Sequence, residues 1–375
     1  MSYLQQKALL TTYRLGDLEL KNRIVMASLT RGRAVNEGLV PTDAFVTYYA
    51  QRASAGLILA ETTWVSKRGV SFVNIPGIYS EEQVAGWKKV TDAVHAKGGK
   101  IFLQAAHAGA VSHPDFQAGE LPVGPSAINP QEQVFTPEGM KETVVPRALT
   151  KAEIRETIAE FRLAAENTKR AGFDGIELHA QLFTLIPQFL SAATNQRTDE
   201  YGGSIENRSR LLFEVLDVLI EVFTANRVGI KFKPAAFNEG ILKPDAETIA
   251  LYTYLLEKLG DYKLAYVQVT GPVDELKGTP VEAWQENFFE QFRELYKGAL
   301  MVNGGFTWKS GNAAIDAGTA ELVSFGLPYI ANPDLVERFD QGIDLAEANP
   351  QSFYMGGDEG YIDYPAAVEV IERGA

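Results

Sequence analysis

The chain has 375 residues, enough for one large α/β barrel or two ordinary domains, and its 33 glycines and 17 prolines are spread without a low-complexity linker, which favours a single domain over 1–375. A formal net charge of −13, with no basic cluster interleaved with aromatics, speaks against a nucleic-acid partner. With no cysteine, disulfides, thiolate metal sites and cysteine nucleophiles are excluded; no apolar run approaches the roughly 20 residues of a membrane span, and Met1 to Leu10 lacks the basic start of a signal peptide, so a cytoplasmic protein is expected.

Thr12 to Leu20 alternates around Gly16-Asp17 and predicts a hairpin that closes the bottom of a barrel. Asn22 to Ala27 is the first strand, Thr42 to Ser54 a helix, and Gly56 to Glu61 the second strand. Glu81 to Lys97 carries Val84, Trp87, Val90, Ala93 and Val94 on one side, the stripe of an amphipathic helix, and Lys100 to Gln104 follows as the third strand. The Pro- and Gly-rich excursion from His113 to Pro146 is too long for an ordinary barrel loop and reads as a hairpin lid.

Thr150 with Glu153 three residues on predicts a capping box, opening a helix that runs to Ala171. Asp174 to His179 is the fourth strand, followed by a long loop and a helix from Ser204 to Phe223. Val228 to Lys233, stopped by Pro234, is the fifth strand; helices near Asp245–Leu259 and Ala283–Tyr296 flank the sixth, Ala265 to Val269. Leu300 to Gly304 and Leu322 to Gly326 are the seventh and eighth, and a last helix starts after Asn332-Pro333. Eight strand-helix units predict a (β/α)8 TIM barrel, whose chemistry sits at the C-terminal ends of the strands.

Within the fifth strand a period of two sends Val228, Ile230 and Phe232 to the helices and Gly229, Lys231 and Lys233 to the barrel axis. An ammonium in an apolar pocket is destabilised, and a second cation on the same face, roughly 6 to 7 Å along, lowers its pKa further. Such a lysine condenses with ketones or aldehydes. The bland alternative is that Lys233 snorkels to solvent or pairs with Glu61 or Glu177. The four histidines show no metal-ligand spacing, so no metal is expected; His95 reads as a surface residue.

The run QFLSAATNQRTDEYGGSIENR (Gln188 to Arg208) closely resembles the signature of the old yellow enzymes, the FMN-dependent ene-reductases. ASLTRGRA (Ala27 to Ala34) is similar to that family's first-strand stretch, and GGDEGYIDYP (Gly356 to Pro365) is family-like scaffold. The resemblance covers nearly the whole chain and implies the same barrel. It also implies FMN held by Thr30, Thr62, Gln104 and Lys231, with Gly304, Gly305, Gly326 and Leu327 at the phosphate, and NAD(P)H as the reductant. Where the family has arginine at 327, apolar residues also occur.

The match fails where that family binds substrate. Its His-x-x-Asn/His-Gly-Tyr is here His179-Ala180-Gln181-Leu182-Phe183-Thr184, without the tyrosine acid. Its QLWHxGR is Gln104-Ala105-Ala106-His107-Ala108-Gly109-Ala110, and a lysine replaces the small residue at 233. Truncations of this size leave voids costing about 2–5 kcal/mol each unless something fills them, either a ligand or repacking by Phe183, Trp64 and Phe232. Such clustering is the pattern of a scaffold given a new pocket, by design or by strong divergence.

Three readings follow. The leading expectation is amine catalysis of aldol or retro-aldol type by Lys233 on a small carbonyl substrate. It needs no cofactor, and is served by Lys231, His179, Thr184 and Gln181 in a pocket of Ala105, Ala106, Leu182, Phe183, Phe232 and Trp64. The alternative is an FMN-dependent NAD(P)H enoate reductase with an atypical site. A catalytically silent binding barrel is the third. A monomer or homodimer is expected.

Overall fold

A computed structural model describes residues 7–181, 183–237 and 240–367 of the chain. The predicted opening hairpin is present as β1 (Tyr13–Leu15) and β2 (Leu18–Leu20), antiparallel across the Gly16 turn, where φ of +59° suits a residue without Cβ. Eight parallel strands then close into a barrel in chain order: β3 (Ile24–Met26), β4 (Leu57–Trp64), β5 (Ile101–Ala106), β10 (Gly175–His179), β11 (Val228–Phe232), β12 (Tyr266–Thr270), β13 (Leu300–Asn303) and β14 (Leu322–Phe325). Every predicted barrel strand is found, with no boundary shifted by more than three residues.

The lower barrel is plugged by side chains. Leu15, Leu18 and Leu20 pack with Leu57, Leu59, Phe102, Tyr266, Met301 and Leu322, and the rings of Phe102 and Tyr266 stack at 6.1 Å. Glycines on the two strands between them make room: a Cβ at Gly175 would stand 2.4 Å from the Phe102 ring, and one at Gly229 would stand 2.3 Å from that of Tyr266. The opposite, outward residues of each strand meet the helices in the main core.

Around the strands run α1 (Asp43–Gln51), α2 (Glu81–Ala96), α3 (Lys151–Arg170), α5 (Ile205–Phe223), α6 (Thr248–Leu259), α7 (Phe288–Leu295) and α10 (Leu335–Gln341). The Thr150–Glu153 capping box is formed, and a second, Ser80–Gln83, starts α2. Three helices were not expected. α4 (Leu185–Leu190) occupies the start of what reads as a loop, being only six apolar residues around a proline. α8 (Trp308–Asp316) is masked by Gly311 and Asn312 at its centre; Gly311 is there because a Cβ would come within 2.9 Å of Leu9. α9 (Leu327–Ala331) precedes α10, and Pro333 lies ahead of α10 instead of in its first turn. His95, read as a surface residue, is bonded to Asp174 (Nε2 to Oδ2, 2.8 Å) and only about one-third exposed.

The excursion after β5 does form a lid. β7 (Gln133–Thr136) and β8 (Gly139–Glu142) make its hairpin, and the two-residue strands β6 (Val123–Gly124) and β9 (Arg147–Ala148) tie its base. The segment leading into the hairpin reaches the loop after β11, where the Ile241 N–H donates to the Pro130 carbonyl at 3.0 Å.

Candidate functional site

Above the apolar plug the inward positions turn polar. Gln104 on β5, Glu177 on β10, Lys231 on β11 and Gln268 on β12 are all buried. The Glu177 carboxylate accepts from Gln104 Nε2 at 2.7 Å and from Gln268 Nε2 at 2.8 Å. The Gln104 carbonyl in turn accepts the hydroxyls of Ser28 (2.8 Å), from the loop after β3, and Thr62 (3.0 Å), from β4. Burial raises the Glu177 pKa, opposed first by the Lys231 charge and then by the glutamine amides. Burial likewise lowers that of Lys231, opposed by Glu177, with Lys233 adding like-charge repulsion. The two charges stabilise each other where water does not reach them.

At the strand ends above this layer lie His179, Gln181, Thr270 and Asn303. His179 is held neutral, its pKa lowered to about 3 by burial and by the Lys231 cation. Its Nδ1 is sealed without a partner, leaving Nε2 as the nitrogen able to meet a ligand. The Thr270 hydroxyl lies 3.3 Å from the Gln181 carbonyl oxygen and 3.4 Å from that of Asn303, and Asn303 Nδ2 donates to the Ser324 carbonyl at 2.8 Å. Thr184, expected among the reacting groups, spends its hydroxyl on its own loop: it donates to the His179 carbonyl at 2.8 Å and leads into α4.

Next to this, at the ends of β13 and β14, Gly304 (φ +126°) and Gly305 (φ +68°) turn through backbone that side chains disfavour. No heavy atom lies within 4 Å of where a Gly305 Cβ would stand, and Leu327 is 64% exposed, so the space above is open. The amides of Gly304, Gly305 and Gly326 donate to no acceptor among the described residues. Unpaired N–H groups from adjacent turns suit a phosphate oxygen. With one remaining Gln104 amide hydrogen, the Thr30 hydroxyl and the Lys231 cation across the mouth as donors, and the Ser28 and Thr62 oxygens, whose hydrogens go to Gln104, left as acceptors, the polar set fits FMN.

The amine pocket is not assembled. Ala105 and Phe232 face the helices in the main core, Phe232 edge-on to Tyr252 at 5.5 Å. Even strict alternation places Phe232 there, and Ala105 follows because its neighbours Gln104 and Ala106 point the other way. Phe183 packs against Val111, Val134 and Leu242 under the lid, and Leu182 lies outside the described residues. Trp64 and Ala106 meet in a separate small cluster with Val70, Ile75 and Ala108. Lys233 borders a cleft outside the barrel, between α4, α5 and α6, with Arg208, Lys243 and Glu247. Neither suggested acid serves it: Glu177 is engaged with the glutamines, and Glu61 is buried near Arg31, Arg33 and Tyr49, its pKa raised by burial to about 8.

Glu177 as the hub of the polar layer, with Gln268, Ser28 and Thr270, escaped sequence reasoning. The signal was present in the alternation: a glutamate and a glutamine at inward positions inside otherwise apolar strands require partners. His107 is buried, with Nδ1 accepting from the Gly109 N–H, and belongs to a turn. Among the described residues no group of three or more histidine and carboxylate side chains is arranged to hold a metal.

Residues 9–346 match the NADH:flavin oxidoreductase / NADH oxidase family. The chain is 39% identical to 12-oxophytodienoate reductase 7 of Oryza sativa subsp. japonica, over 96% of this chain and 95% of that one. It is 40% identical to a probable flavin mononucleotide-dependent alkene reductase of Leishmania infantum, over 93% and 95%. Among solved structures it superposes on morphinone reductase with a TM-score of 0.89 at 44% identity, covering 97% of this chain and 98% of that one. An old yellow enzyme homologue from Zymomonas mobilis gives 0.89 at 37%, covering 96% and 99%.

Proposed function

The chain belongs to the NADH:flavin oxidoreductase / NADH oxidase family, whose cofactor is FMN, and we propose that it reduces carbon–carbon double bonds conjugated to a carbonyl, with NAD(P)H as electron source. The observation that carries this reading is the neutral, buried His179 standing beside the Lys231–Glu177 layer at the barrel mouth. When bound, FMN supplies hydride transfer from the nicotinamide to the alkene.

In this reading His179 Nε2–H donates to the carbonyl oxygen of the substrate, polarising the alkene while bringing no competing charge. Lys231 sets a positive potential beneath the reacting centre, and Glu177, itself held by its two glutamine amides, supplies the counter-charge that favours its protonated form. The amides at Gly304, Gly305 and Gly326 hold the phosphate end. No phenol stands in the 179–184 loop, and the Thr184 hydroxyl is turned into that loop, so the proton for the second carbon comes from water. The consequence is slow turnover compared with a site that positions its own acid.

The test is anaerobic. Protein reconstituted with FMN should show a bound-flavin visible band that NADPH bleaches and a cyclic enone restores. A protein that takes up no flavin, or whose reduced flavin is not reoxidised by any enone, overturns the reading. The Schiff-base reading has no comparable support, because the residues meant to desolvate Lys233 face elsewhere.

A further inference from the structure

The lid and the barrel meet at one small apolar cluster. Val134 from β7, Val111 from the loop after β5 and Leu242 from the loop after β11 are buried together, and the half-buried ring of Phe183 packs against them. These come from four separate segments, three of them loops at the barrel mouth. Beside the cluster, the lid and the loop after β11 are in backbone contact: Ile241 N–H donates to Pro130 O at 3.0 Å, and a Cβ at Gly240 would lie 2.5 Å from that same carbonyl. Elsewhere the hairpin is held by one backbone bond, from Val73 N–H to Phe135 O at 3.2 Å, and by the Lys141–Asp115 ion pair near the surface. Such pairs contribute little in water.

We propose that Phe183 is the latch of the lid: its ring holds the hairpin of β7 and β8 down on the loop after β11 and thereby sets the size of the acceptor that enters the mouth. The placement supports this directly. Phe183 lies four residues after His179, so the same loop carries both the carbonyl-binding nitrogen and the contact that closes the roof above it. A hairpin with few buried apolar contacts opens locally at small cost, and here most of that cost resides in one cluster. The statement about acceptor size rests on the reductase reading, whereas the latch does not.

The experiment therefore has two arms. In the first, FMN-free and FMN-loaded protein are treated with trypsin under native conditions, and cleavage at Lys141 and Arg147 in the lid is followed by mass spectrometry. Phe183→Gly and, independently, Val134→Thr should speed lid cleavage about tenfold, a change that losing a half-buried aromatic contact suffices to give, while Phe183→Leu should stay near the native rate. Unchanged lid cleavage in Phe183→Gly, or acceleration spread through the barrel, overturns the latch. In the second arm, Phe183→Gly should raise kcat/KM for a ring-substituted bulky enone relative to 2-cyclohexenone, and an unchanged ratio overturns the size filter. Faster lid cleavage in a protein that shows no flavin turnover would sink the function and leave the latch standing.

Discussion

Replacing Lys231 by methionine keeps the side-chain volume and removes the charge that faces Glu177. The carboxylate then keeps its two amide donors, at 2.7 and 2.8 Å, and loses its counter-ion in a place without water. Removing one partner of a buried pair costs about 3–5 kcal/mol, and the two glutamine amides place this case at the lower end. About 3 kcal/mol, set against the unfolding entropy of a 375-residue chain, lowers Tm by about 4 °C. The sign of the pH dependence is fixed as well. Burial already raises the Glu177 pKa, and without Lys231 it rises further, so the folded variant retains a proton that the unfolded chain releases above the ordinary carboxylate range. The variant should accordingly lose more stability at pH 8 than at pH 5, by about 1.4 kcal/mol per pH unit until the folded pKa is passed. Adding Glu177→Gln should recover most of the loss, because Gln268 Oε1 has no partner in the native protein and can flip to accept from the new amide. Urea denaturation of the three proteins at both pH values is the assay. A Lys231→Met protein as stable as the native one, or a double variant no better than the single, would refute the coupling of these side chains.

Glu61→Gln should leave stability below pH 4.5 unchanged and flatten the decline between pH 4.5 and about 8. Glu61 is raised from 4.5 to about 8 by burial, so the native protein loses stability as pH climbs through that window; equal slopes for the two proteins in urea melts would contradict this. Thr184→Tyr should return a proton donor to the loop and raise steady-state enone reduction by about 100-fold, with flavin reduction by NADPH unaltered in stopped flow; a rise confined to the NADPH half-reaction would count against the missing acid as the bottleneck. Lys233→Met should leave enone reduction within about twofold of native, and borohydride in the presence of a ketone or aldehyde should label native and variant protein alike; a label confined to native Lys233 would reinstate amine catalysis.

The barrel was legible because its information is local and repeated: alternating strands, capped helices, and a resemblance that runs the length of the chain. The site was legible only in part, because period two tells which way a residue points and not what meets it. It placed Lys231 correctly in the barrel interior, and its failure at Lys233 is instructive. Alternation holds inside β11, but the strand ends at Phe232, and one residue beyond it the ladder no longer dictates direction; Pro234 then turns the chain toward the cleft beside α5 and α6. The Ala105 error has a different source: small residues close together, Ala105, Ala106 and Ala110, suggested one cleared space, whereas neighbours on a strand open to opposite sides, so Ala106 borders the cluster at the mouth and Ala105 does not. Polar partners, by contrast, are set by the pairing of strands distant in sequence. Glu177 meets Gln104, 73 residues away, and Gln268, 91 away, and its value as a counter-charge to Lys231 exists only once the barrel closes. Since a buried lysine depends on that closure for its charge, the electrostatics of the mouth are a property of the whole sheet, and substituting Gln268 on β12 should shift the flavin potential without touching the flavin.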